Sequence, residues 1–157
     1  MWLCNSSIGR KVVMSVTGVA LILFLTFHMS MNIAALFSGD AYNMICEFLG
    51  ANWYALVATL GLAALAVIHI LYAFWLTMQN RKARGTERYA VTTRPAGVEW
   101  SSQNMLVLGI IIILGLLLHL FNFWYNMMFA ELTGIAVAHA PADGYAYIVD
   151  TFSCPVY

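Results

Sequence analysis

An all-α, polytopic transmembrane bundle is the fold class this sequence predicts, on three observations. Three apolar stretches, at about 12–37, 53–78 and 104–129, each exceed the roughly 20 residues that a helix rising 1.5 Å per residue needs to cross a bilayer. Hydrophobic residues make up 62% of the chain and charged residues only 9%, against roughly one quarter in soluble domains. Residues 110–118 form a continuous apolar run, without the period of two that a strand of a membrane barrel requires. The whole chain, 1–157, reads as one transmembrane domain.

The first span follows Arg10 and Lys11, is too long for the apolar core of a signal peptide, and has no obvious cleavage site behind it. A loop at 38–52 carries Asp40 and Glu47. The second span runs into Arg81, Lys82, Arg84, Arg88 and Arg94, and beyond the third span come Glu131, Asp143 and Asp150. No lysine or arginine occurs outside the two basic segments, so the formal net charge of zero conceals a strong polarity. Under the positive-inside rule the N-terminus and the loop between spans two and three are cytoplasmic. A basic loop this small beside two helix ends is an orientation signal, and no nucleic-acid partner is expected.

Each span carries one histidine well inside it: His28, His69 and His119. An ionisable ring in hydrocarbon is costly and normally faces the bundle interior with a function to perform. Counting helical rise from the nearest cytoplasmic charge puts His28 and His119 at roughly 25–30 Å and His69 at roughly 18 Å, which is two levels. Two neutral imidazoles from facing helices can ligate a haem iron from both sides, leaving no open position, which suits electron transfer. Gly115 lies one turn before His119 on the same face, and Ala66 and Ala73 lie three and four residues from His69. Such small residues ordinarily let helices pack closely; the other reading is that they leave room for a flat macrocycle. The alternative function is a small transporter whose intramembrane histidines relay protons without a cofactor.

The segments SSIGRKVVMSVTG, FHMSMN around His28, RKARGTERYAVTTRP followed by VEWSSQNM, and DGYAYIVDTFSCPVY carry a further signal. They resemble the cytochrome b membrane subunit of succinate dehydrogenase or fumarate reductase, in its single-chain, di-haem, Bacteroides-like form. The resemblance implies five spanning helices, of which three lie here, and four histidines holding two b haems stacked across a bacterial cytoplasmic membrane. It also implies an iron–sulfur subunit and a flavoprotein with FAD docked on the cytoplasmic side, electrons exchanged with menaquinone, and room for a dimer of complexes. On this basis His28 and His119 are the axial pair of the haem farther from the cytoplasm. His69 ligates the proximal haem, with a partner from a later helix, so the chain is expected to be part of a longer protein.

Ser7 and Trp100 precede the first and third helices, where hydroxyl and indole donors would reach the proximal haem propionates; for Trp100 an aromatic-belt anchor is the other reading. Glu47 is the expected proton-transferring group at the quinone site, or else an ordinary solvated carboxylate. Asn122 and Asn126 either line a quinone pocket or bond between helices. His139 lies in AVAHAPADGYAY, an outer loop with Pro141 and Gly144, too far from the level of His69 to be its partner. Cys4, Cys46 and Cys154 have no metal-ligand spacing; Cys46 and Cys154 either meet in the outer loops or stay free. No nucleotide loop or catalytic triad is visible, so dicarboxylate and flavin chemistry is expected on partner subunits.

Overall fold

The computed structural model describes residues 6–50, 52–85 and 97–156; Cys4, Arg88 and Arg94 lie outside them. Of the described residues 83% are helical and none is in a strand. Helix α1 (Ser7–Asn32) begins where the Ser6 hydroxyl accepts the Gly9 N–H at 2.9 Å, and it tightens at its far end into a 3-10 turn over Ile33–Leu36. Helix α2 (Gly39–Leu49) is capped by Ser38 and carries Asp40 in its first turn, where the helix dipole favours negative charge. Helix α3 (Trp53–Arg84) ends with Arg81, Lys82 and Arg84, cations that complement the opposite end of the dipole.

The third span is segmented. A single turn α4 (Trp100–Gln103) leads into α5 (Met105–His119), then a π-helical segment over Leu120–Phe129, then α6 (Ala130–Thr133). It stops at Gly134, whose φ of 70° is the left-handed conformation that glycine adopts without a Cβ penalty. Helix α7 (Gly144–Ser153) is capped by Asp143, whose carboxylate accepts the Ala146 N–H at 3.2 Å.

Among the described residues three helical stretches are long and apolar enough to span a membrane: Ser7–Leu36, Trp53–Arg84 and Met105–Thr133. Two of them extend past the expected 12–37 and 53–78 at the basic end, because lysine and arginine are good helix formers and their long stems let a helix continue into the interface. The segment 38–52, expected as a loop, is largely α2. Its capping serine and first-turn aspartate were signals in the sequence, and the same holds for Asp143 ahead of α7.

Helix α1 packs along α3. At one end the Arg10 guanidinium donates to the Gln79 side chain and lies 5.6 Å over the Trp75 ring. That contact brings Arg10 and Lys11 to the same end as Arg81, Lys82 and Arg84, the basic end. At the other, acidic end α2 packs on α7, and α7 on the π-helical segment. Asn43 joins the first pair, its amide donating to Asp143 Oδ1 at 2.7 Å while its Oδ1 accepts the Tyr145 N–H at 2.9 Å. None of the most apolar window of the second or third span is buried, so these side chains form the outer surface that a lipid-spanning helix presents.

The α2–α7 contact has little slack. A β-carbon on Gly144 would lie 2.5 Å from Cys46 Sγ and 3.0 Å from both Met127 and Tyr42 side-chain carbons. Gly144→Ala is therefore expected to destabilise this end by about 1–3 kcal/mol, the usual cost of overpacking. Limited proteolysis of the detergent-solubilised chain should show faster cleavage between α6 and α7, with the spans still protected.

Candidate functional site

Two histidines from different spans meet toward the acidic end. His28 of α1 and His119, the last residue of α5, have ring centroids 5.5 Å apart and ring planes at 85°. Aromatic rings flank both: Phe24 stacks on His28 at 5.5 Å, and Phe123 lies 5.3 Å from His119. Phe152 of α7 continues the row at 6.5 Å from Phe123. The peptide oxygen of His28 accepts the Asn32 amide at 2.8 Å, and Asn32 in turn accepts the Tyr42 hydroxyl at 2.9 Å, tying this turn of α1 to α2.

His69 stands at a different level. Its Nδ1 lies 2.9 Å from the Thr17 hydroxyl, and a β-carbon on Gly18 would sit 3.4 Å from its Cε1, so the ring is fitted against α1. From Thr17 to His28 along α1 the helix rises about 16 Å, which makes the separation of the two levels larger than the roughly 7–12 Å that counting from charges implies. Counting assumed the cations start at one height. With Thr17 level with His69, Lys11 is six residues from that level and Arg81 twelve, so they do not.

Among the described residues no cluster of three or more His, Cys, Asp or Glu could hold a metal ion. The His28–His119 pair therefore supplies two nitrogens and no more, too few for a bare zinc ion and enough for a metal that brings its other ligands with it. A β-carbon on Gly115, one turn before His119, would meet nothing within 4 Å, so the space immediately beside Gly115 is open. Ser7 and Trp100 are exposed at the starts of α1 and α4.

At the acidic end Glu47 is exposed and lines an open recess with Asp40, Asn43 and Asp143. Across Met44 this recess adjoins an apolar groove between α1 and α2, lined by Phe27, Met31, Ile45 and Phe48. Asn126 spends its amide on the π-helical backbone, donating to the Asn122 oxygen at 2.9 Å. His139 is held on α7 by Asp150 and by Tyr147, whose hydroxyl donates to the His139 peptide oxygen at 2.7 Å. Cys46 and Cys154 are both free thiols.

Sequence reading missed Thr17. The signal was present, because Thr17 and His28 are eleven residues apart and so share a helix face to within about 20°. Comparison with protein-family models, with curated proteins and with solved structures finds no match for the chain.

Burial pushes the Cys46 thiol up from its ordinary value, with the nearby Asp143 carboxylate adding to the effect and the polar neighbours Tyr42 and the Gly144 backbone opposing it. Burial also pushes the Tyr42 phenol up. Because thiolate is the nucleophile, Cys46 is expected to alkylate with iodoacetamide more slowly in the folded chain than in the denatured chain at mildly alkaline pH, as peptide mapping would read. A group harder to ionise when folded stabilises fully below its unfolded pKa and loses that contribution as pH rises through the folded one. The α2–α7 layer should accordingly loosen in alkali.

Proposed function

We propose that this chain is the haem-bearing membrane anchor of a succinate:quinone oxidoreductase, a succinate dehydrogenase or fumarate reductase of the di-haem type. The observation that carries the reading is the facing pair His28 and His119, on separate spans, perpendicular and with no third ligand among the described residues. With ring centroids 5.5 Å apart, the two imidazoles are close enough for a nitrogen from each to reach one metal centre. The open face at Gly115 leaves room for a macrocycle beside His119. The quoted loop segments, which resemble the cytochrome b subunit, support the same reading.

A b haem, when bound, would supply one-electron transfer, with His28 and His119 the residues that would hold it. The protein's part is to hold and insulate. His28 and His119 each offer a ring nitrogen at the acidic-end level, and Phe24 and Phe123 pack beside them to exclude water. His69 offers a nitrogen at the second level, nearer the basic end, where Ser7 and Trp100 present hydroxyl and indole donors for propionates. The apolar groove between α1 and α2 suits the ring and tail of menaquinone, and Glu47, across Met44, moves the proton at its carboxylate oxygens. The positive-inside rule makes the basic end cytoplasmic in a bacterial inner membrane. The iron–sulfur subunit and the FAD flavoprotein would dock at that end, and their redox chemistry would reach quinone through this chain.

A dithionite-reduced minus air-oxidised spectrum of the detergent-purified complex should show sharp b-type bands, with haem quantified per copy of the chain. His28→Ala or His119→Ala should each remove one haem and leave the other. A folded complex without haem absorption would replace this reading with the intramembrane proton relay.

A further inference from the structure

Thr17 is a buried polar side chain, 5% exposed, between two helices whose apolar faces otherwise turn outward. Its hydroxyl has three neighbours: the Val13 oxygen at 2.8 Å, the Met14 oxygen at 3.2 Å and His69 Nδ1 at 2.9 Å. A hydroxyl has one proton and two lone pairs, and a peptide oxygen can only accept. With its proton given to the Val13 oxygen, the back-bond a helical threonine ordinarily makes, Thr17 has only lone pairs to offer the ring, and Nδ1 is then the donor. Gly18 lies beside the ring, where a β-carbon would stand in ordinary van der Waals contact with the imidazole edge.

We infer that Thr17 is the positioning residue of His69: it accepts the Nδ1–H, fixes that tautomer and ring orientation, and leaves Nε2 as the nitrogen through which His69 binds a metal centre within the membrane. The metal's identity as haem iron rests on the reading above; the tautomer does not. Histidine ligands characteristically donate their second ring N–H to a fixed acceptor, which orients the ring and raises its basicity as a ligand, and removal of that acceptor typically weakens metal binding by about 10-fold to 100-fold. A threonine hydroxyl backed by its own helix serves as such an acceptor where carboxylates would be too costly to bury.

The test uses the full chain labelled with 15N-histidine, the His69 signals being assigned by their loss in His69→Gln. Nδ1–H at His69 in the native sequence and in Thr17→Ser, with loss of that preference in the near-isosteric Thr17→Val, is the expected result. Nε2–H in the native chain, or a tautomer indifferent to Thr17→Val, would overturn the assignment. In the haem-loaded complex, Thr17→Val should weaken retention of one haem about 10-fold to 100-fold and shift its midpoint potential upward, leaving the His28–His119 haem unchanged, with Thr17→Ser restoring both. A colourless chain that keeps Nδ1–H at His69 would sink the haem reading while upholding the tautomer; a haem-loaded chain blind to Thr17→Val would sink the positioning role alone.

Discussion

A polar side chain in hydrocarbon must find its partner inside the protein, and the arrangement of this chain follows from how its different side chains can do so. Short polar side chains reach back to their own helix. Thr26 donates to the Ile22 oxygen, Ser30 to Thr26, Thr77 to Ala73 and Thr133 to Phe129, each at 2.7–2.9 Å, and none of these bonds asks for a neighbouring helix. The imidazoles take partners across the helix boundary, His69 from α1 and His28 from α5. The spans are thus free to present apolar surface to lipid almost everywhere and are committed to one another at the histidine levels.

Helix length and composition made the spans legible, since no other structure accommodates such apolar runs. Their ends were less so. Arg10, Lys11 and Arg81 to Arg84 were read as boundaries by charge, whereas the backbone continues through them because a helix end costs less in the interface, where water and headgroups can satisfy it, than charge alone suggests. The helices α2 and α7 were hidden for a different reason. Their polar and apolar residues mix within ten or so positions, and composition alone reads such a segment as a loop. Ser38 and Asp143 are the residues that would have revealed them, through the capping bonds they make.

The pairing of His28 with His119 was legible because equal depth on separate helices is nearly a contact prediction in a small bundle. The gap between the two levels was misjudged, because charges mark where a helix leaves the membrane region only loosely. Thr17 was invisible for a chemical reason: a threonine in a membrane helix ordinarily bonds only to its own backbone, and Thr17 does that as well. Only the approach of His69 on the far side of the same oxygen gives it a second role.

The spacing of the two facing imidazoles is fixed largely from outside the spans. Helix α1 has α3 beside it for support, while α5 meets the rest of the chain chiefly through its π-helical continuation and α7. His28 is braced by Asn32, Tyr42 and so α2; His119 is braced by Phe123, Phe152 and so α7. Asn43 and Asp143 then lock α2 to α7. The acidic-end layer is therefore a strut between two helices that do little to position each other. The π-helical segment that follows His119 carries Phe123, the ring that joins this histidine to Phe152 of α7. Two side chains that meet from separate spans need a separation held from outside those spans, and here packed aromatic rings and short hydrogen bonds at the acidic end supply what apolar helices facing outward cannot.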